Sequence, residues 1–225
     1  MAPGAVTIVI VKTEVIEVDP QEPDPVVIRY AGKVIETGGL VVLPTDTVYG
    51  LVCDSRSAEA VERVYRVKAR RRDLPLVLLL QHMSQVAEYI GQAPEGAVRA
   101  MQQFWPGPLT VVLRDEGDAT RPVRAGKDTV GLRLPAHMVP RLVAGEVGAA
   151  LASTSANRSK QPPATSAQQA VEHLDGLVNM VLDGGPAPLG QESTVVSFAG
   201  ERPRVLREGA ITAERLREVV GEVDV

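Results

Sequence analysis

Short apolar runs bounded by glycine and proline recur along this chain, and stretches with apolar residues at helical spacing separate them. Thr13–Val18 alternates, which predicts a strand, and Asp19–Pro25 follows as an acidic, proline-rich connection. Val26–Glu36 sets Val27, Tyr30, Ala31, Val34 and Ile35 at helical spacing, and Gly38-Gly39 stops that helix. Leu40–Leu43 is then a continuous apolar run, the mark of a buried strand. It ends at Pro44, which has no N–H for a ladder and restrains the residue before it. Thr45, Asp46 and Thr47 leave the sheet together, and Gly50 turns the chain into a second apolar run, Leu51–Cys53.

Ser57 caps the next helix, in which Val61, Val64 and Tyr65 form the buried stripe and Lys68 falls on the same side. Asp73-Leu74-Pro75 breaks it, and Leu76–Leu80 predicts a fully buried strand. Short helices follow over Ser84–Ile90 and Pro94–Phe104, and Trp105-Pro106-Gly107-Pro108 makes a rigid turn. Leu109–Leu113 and Thr129–Leu134 are strands on either side of a polar loop, Asp115–Gly126. Met138–Glu146 is helical, and Ala149–Ala152 is a short buried strand that empties into Ser153–Asn157. A helix over Ala167–Leu174, strands at Asn179–Leu182, Val195–Phe198 and Arg204–Leu206, and a final helix from Thr212 through Val220 complete the pattern. Strands and helices mingle without strict βαβ alternation. The pattern therefore predicts a single mixed α/β domain over residues 13–225, preceded by an N-terminal arm at 1–12.

Composition narrows the picture. The chain is long enough for one large core, and scarce aromatics make that core aliphatic. A net charge of −4 argues against a generally cationic, nucleic-acid-coating surface, so any anion site has to be local. The single cysteine, Cys53, leaves no intramolecular disulfide and fits a reducing compartment; inside an apolar run it reads as a core residue. Ala5–Val11 lacks the flanks of a leader and Leu74–Leu80 is far too short to cross a bilayer. The expectation is a cytoplasmic protein without membrane association.

Three strands discharge clusters of hydroxyl side chains: Thr45 and Thr47, Ser153 to Asn157, and Ser193-Thr194. Each cluster by itself has a plain reading as turn chemistry or capping. Ligands of open α/β sheets sit at strand ends, so three such ends could also converge on one site. Lys68 and Arg70 open the densest basic run, Lys68–Arg72, held between a helix and a proline break. Arginine offers a rigid fork for phosphate or carboxylate and lysine a point charge; a solvated helix end is the alternative. Arg133 and Arg207, beside Pro135 and Gly209, are further anion-site candidates. The phosphate loop, the dinucleotide fingerprint and the hydrolase nucleophile elbow are all absent. His82, His137 and His173 have no metal-ligand spacing, so no protein-held metal is expected.

Read together, six segments resemble one family. Gly38–Leu51 looks like the signature of the YrdC/Sua5 proteins, the L-threonylcarbamoyladenylate synthases. Lys68-Ala69-Arg70 with Leu74-Pro75-Leu76, Gly131–Pro135, Ser153–Asn157, Ser193–Val196 and Leu206–Gly209 fall in that family's order and approximate spacing. The resemblance implies a YrdC/RibB-like twisted sheet with a concave, positively charged groove. It also implies that L-threonine, bicarbonate and ATP, with Mg2+ assisting, become threonylcarbamoyl-AMP and pyrophosphate. The product would pass to tRNA-modifying threonylcarbamoyl transferase proteins, and direct binding of tRNA or double-stranded RNA is a further implication.

By the family pattern Thr45 or Thr47, Arg133, Ser153 and Ser193 would hold threonine. Lys68, Arg70, Thr129, Ser155, Asn157 and Arg207 would hold ATP, with Lys68 and Arg70 the catalytic cations. Two positions depart from the pattern: Leu79 stands where many relatives have histidine, and Arg158-Ser159-Lys160 replaces the usual x-Ser-Gly. Longer relatives of that family also carry a C-terminal domain, and the expectation here is a single domain without it. The competing readings are a non-catalytic RNA-binding module and a related carbamoyl-adenylate enzyme of metal-cofactor maturation.

Overall fold

Helix boundaries follow capping chemistry. Asp24 Oδ1 accepts from Val26 N at 2.7 Å to start α1 (Pro25–Glu36), and Ser57 Oγ accepts from Ala60 N at 3.1 Å to start α2 (Ala58–Lys68). α3 (Gln85–Ile90), α4 (Glu95–Phe104) and α5 (Met138–Val147) follow; Gly148 at φ 65° closes α5 in the left-handed region. Ser166 caps α6 (Ala167–Leu174) and Thr212 caps α7 (Ala213–Val220). The computed structural model describes residues 10–115 and 117–225. Most of the expected N-terminal arm lies outside them; within them Val11 N donates to the Gly176 carbonyl.

Among the described residues the strands are β1 (Glu14–Glu17), β2 (Val41–Leu43), β3 (Gly50–Asp54), β4 (Val77–Leu79), β5 (Leu109–Arg114), β6 (Thr129–Arg133), β7 (Leu151–Ser155), β8 (Met180–Asp183), β9 (Thr194–Ser197) and β10 (Arg204–Arg207). They form one sheet in the order β1-β8-β2-β3-β7-β4-β6-β5-β9-β10. Pairing is mixed: β4 runs parallel to β6 and antiparallel to β7, and β5 runs antiparallel to β6 and parallel to β9. The expected mixed α/β sheet flanked by helices is the architecture observed.

Strand alternation divides the apolar residues into two cores. Leu51 and Cys53, Leu76, Leu78 and Leu80, Leu109, Val111 and Leu113, and Val130 and Leu132 face a large core shared with α2, α4, α6 and α7. The opposite face packs Val41, Leu43, Val52, Leu79, Leu151, Met180 and Leu182 beneath α1 and α5. Beyond those two helices the same face is uncovered.

Two local expectations change. α1 buries Ile28, Ala31, Gly32 and Ile35, whereas Tyr30 is exposed, its hydroxyl donating to Glu14 Oε2. Helical spacing groups Tyr30 with Ala31 and Ile35, but an apolar body with a polar tip sits comfortably at the rim. Ser153 and Ser155, expected beyond their strand, lie within β7, opposite Val52 and Gly50. The ladder uses backbone groups alone, so polar side chains do not end it when their face is open.

Candidate functional site

The uncovered part of the sheet is the floor of a cleft of about 310 Å³. β7 supplies Ser153 and Ser155, β4 Val77 and Leu79, β6 Thr129, Gly131 and Arg133, β5 Thr110 and Val112, and β9 Val195. Residues two apart share a face, so each strand contributes alternate positions. Thr45, Thr47 and Tyr49 wall one end, and Glu192, Ser193, Leu206 and Arg207 the other. The lining carries Arg70, Lys127, Arg133 and Arg207 against the carboxylate of Glu192.

The Thr45–Gly50 turn is held by its own side chains. Thr45 Oγ1 donates to the Val48 carbonyl at 2.7 Å and accepts from Thr47 N at 3.1 Å, and the two hydroxyls are 2.9 Å apart. Arg133, buried to 6% exposure, reaches this turn from β6. Its Nη1 donates to Thr47 Oγ1 and its Nη2 to Asp46 Oδ1, both at 2.7 Å. Its Nε donates to the Gly107 carbonyl at 3.1 Å. Burial pushes the guanidinium below its ordinary pKa and Asp46 opposes that. Tyr49 is fully buried, and its hydroxyl donates to the Gly185 carbonyl at 2.6 Å, tying the loop after β8 to the turn; burial pushes its pKa up to about 12.

Arg207 spans the far wall. Its Nη1 donates to Glu192 Oε1 at 2.7 Å and its Nη2 to the Ser193 carbonyl at 2.8 Å. Ser193 and Thr110 hydroxyls are 2.9 Å apart. The chain after Arg207 passes so close to Glu192 and Ser193 that a Cβ on Gly209 would overlap the Glu192 carbonyl oxygen. Only glycine fits there. Arg70 is turned back by α2's left-handed end at Ala69 (φ 50°), and its Nη2 donates to the Pro75 carbonyl at 3.0 Å. Burial holds Arg70 below its ordinary pKa and Arg207 acts in the same direction, placing the two cations within electrostatic reach.

Lys68 behaves differently from Arg70. It is 2% exposed and absent from the cleft lining. Its Nζ donates to the Ser155 and Asn157 carbonyls and, at 2.9 Å, to Asn157 Oδ1, which also accepts from Ser155 Oγ at 2.7 Å. Burial, helped by Arg70, pushes its ammonium down to about 7, and Glu192 opposes this. The stripe Val61, Val64, Tyr65 and Lys68 that the sequence set on one side of α2 is buried as a unit. Lys68 thus fastens the end of β7 from beneath the cleft.

Nine of the eleven residues singled out in the sequence line this one cleft: Thr45, Thr47, Arg70, Thr129, Arg133, Ser153, Ser155, Ser193 and Arg207. Lys68 and Asn157 stand behind Ser155. Sequence reasoning missed Thr110, Glu192 and Lys127. Thr110 was visible as the one hydroxyl of β5, and Glu192 as the neighbour of Ser193; Lys127 carried no pattern. The thiol of Cys53 is fully buried and pushed up to about 12 by burial, which suits a core residue.

Comparison with known proteins decides the family. The model of the Sua5/YciO/YrdC family, described as "Telomere recombination", matches residues 33–209. The chain belongs to this family. The threonylcarbamoyl-AMP synthase of Bacillus subtilis is 39% identical over 199 residues, covering 88% of this chain and 58% of that protein. That of Halorhodospira halophila is 34% identical, covering 82% and 91%. The structure of Pyrococcus abyssi Sua5 complexed with L-threonine superposes with a TM-score of 0.89 at 35% identity, covering 93% of this chain and 62% of that one. The chain therefore spans about three fifths of the length of the Bacillus and Pyrococcus relatives. Among the described residues no helix is long and apolar enough to cross a membrane.

Proposed function

We propose that this protein is a threonylcarbamoyl-AMP synthase, joining L-threonine, bicarbonate and ATP with release of pyrophosphate. One observation carries the reading: side chains from six separated segments, each part of the family pattern, meet in a single cleft. The synthase names of its relatives and the threonine bound to Pyrococcus Sua5 support the substrate.

The cleft suits a reaction that needs no protein nucleophile. The neutral amine nitrogen of threonine attacks bicarbonate with loss of water, or CO2 with loss of a proton, to give a carbamate. A carbamate oxygen then attacks the α-phosphorus, and the bond to pyrophosphate breaks. The protein contributes position and charge. Arg133 faces the amino-acid carboxylate, with Thr45 or Thr47, Ser153 and Ser193 around its polar groups. Arg70, Arg207, Thr129 and Ser155 hold the nucleotide, and Lys68 and Asn157 fix Ser155. Among the described residues no group of three or more His, Cys, Asp or Glu is placed to hold a metal. Mg2+ needs only one or two carboxylates when phosphates complete its shell, so Glu192 fits an ion that arrives with the nucleotide and offsets phosphate charge. The product is a mixed carbamic–phosphoric anhydride, which requires an acceptor; a transferase acting on tRNA is the proposed partner.

Pyrophosphate release from ATP, followed with and without L-threonine and bicarbonate, tests the reading. Release that requires both supports it. ATP turnover indifferent to threonine, or thermal stabilisation by RNA with none by threonine plus ATP, overturns it.

A further inference from the structure

Asp46 sits between the two threonines of the turn, yet it takes no part in the site assigned above. It is 6% exposed and does not line the cleft. Its Oδ1 accepts from Arg133 Nη2 at 2.7 Å and from Ala136 N at 3.1 Å, and its carbonyl accepts from Leu189 N at 3.0 Å. One residue therefore ties together the Thr45–Gly50 turn, the chain just past β6 and the loop that leads to Glu192. Its Oδ2 is buried with no hydrogen-bond partner among the described residues. What Asp46 supplies to the site is an acceptor oxygen held at a fixed place by Ala136 N and aimed at Arg133.

Arg133 has five N–H groups, and three of them are committed, to Gly107, Thr47 and Asp46. One N–H on each Nη is left over, and Arg133 lines the cleft. Two N–H groups of one guanidinium match the two oxygens of a carboxylate.

We propose that Asp46 is a positioning residue that, with Thr47 and Gly107, sets the roll of the Arg133 guanidinium so that its two free N–H groups receive the substrate carboxylate. The proposal rests on the reading of the cleft as a threonine site. The Asp46–Arg133 pair is itself neutral, so an amino acid entering as a zwitterion adds no net charge to the buried end of the cleft. The pair selects for orientation of the ligand rather than for negative charge. Asp46 also differs in kind from the hydroxyls around it, because it acts through Arg133 and never meets the ligand.

Threonine and ATP affinities of the full chain, measured separately by calorimetry and as KM values, test this. Asp46→Ala is expected to weaken threonine binding by about one to two orders of magnitude, the scale of a small misplacement of a positioning group, with KM for ATP held within about twofold. Asp46→Asn keeps an oxygen for Nη2 and Ala136 N and is expected to recover threonine affinity to within about fivefold of wild type. If the alanine protein does not fold, Asp46→Glu, which displaces the carboxylate by one methylene, is expected to show the same split between threonine and ATP. Unchanged threonine affinity in Asp46→Ala, or parallel loss of both ligands in step with lowered Tm in every variant, overturns the assignment alone. A wild-type protein that takes up no threonine overturns the proposed function and this assignment with it.

Discussion

The two halves of one sheet face share β3, β4 and β7 and keep the same alternation, and they differ in chemistry. Under α1 and α5 the outward positions are Val41, Leu43, Val52, Leu151, Met180 and Leu182. Past the edge of those helices Gly50, Ser153, Ser155, Thr129, Gly131 and Thr110 are interleaved with Val77, Val112 and Val195. β7 shows the change within one strand: Leu151 packs in the covered core, and Ser153 and Ser155, two and four residues on, face the cleft. Leu79 stands on the border, belonging to both. A sheet face needs a cover only where its side chains are apolar. The site is the half in which short polar side chains and glycine stand among the valines, leaving room for a ligand to supply the cover.

The sharpest way to break this comparison is to remove a cation from the open half. Arg70→Ala is expected to lower threonine-dependent pyrophosphate release by about 10²–10³-fold, with the far-ultraviolet circular dichroism unchanged. Activity near wild type removes Arg70 from the site.

The covered half should respond in the opposite way. Leu151→Ala is expected to cost about 2–5 kcal/mol of stability, seen as a lowered midpoint in urea, with ligand affinities of the folded fraction retained. Ser153→Ala should leave the midpoint within about 0.5 kcal/mol and raise the KM for threonine. Equal effects on stability from both would mean that the two halves are not distinct.

Lys68 lies beneath the boundary and gives a pH test. Its pKa is about 7 in the fold against 10.5 ordinarily. Between those values the unfolded chain binds a proton that the folded chain does not, so this group makes the fold more stable as pH rises from about 7 to about 10.5. The Tm of wild type relative to Lys68→Met should therefore climb across that range. A difference that stays flat shows that Lys68 keeps an ordinary pKa in its nest of oxygens.

The smallest expected effect comes from the loop beyond β7. Lys160 holds φ 71°, a left-handed conformation that disfavours side chains. Lys160→Gly is expected to stabilise by no more than about 1 kcal/mol, since relief of strain is partly offset by the freer unfolded chain. A lowered Tm would show that the lysine side chain contributes more than its backbone costs.

Much of this molecule was legible before folding. The apolar runs with their glycine and proline stops marked nearly every strand, because burial and turn chemistry are local demands. The stripe Val61, Val64, Tyr65 and Lys68 followed from helical period alone. The hydroxyl clusters and cations were visible too, since few reasons bring such residues to a strand that could otherwise be apolar. Tertiary structure decided which of them face the same space. Lys68 and Arg70 are two residues apart, yet the left-handed turn at Ala69 sends one beneath β7 and the other to the cleft. Asp46 stands between two threonines in the sequence, and its partner is Arg133, far away in the chain. Sequence sets what each side chain can do; long-range pairing of strands sets what it meets, and no local pattern encodes that.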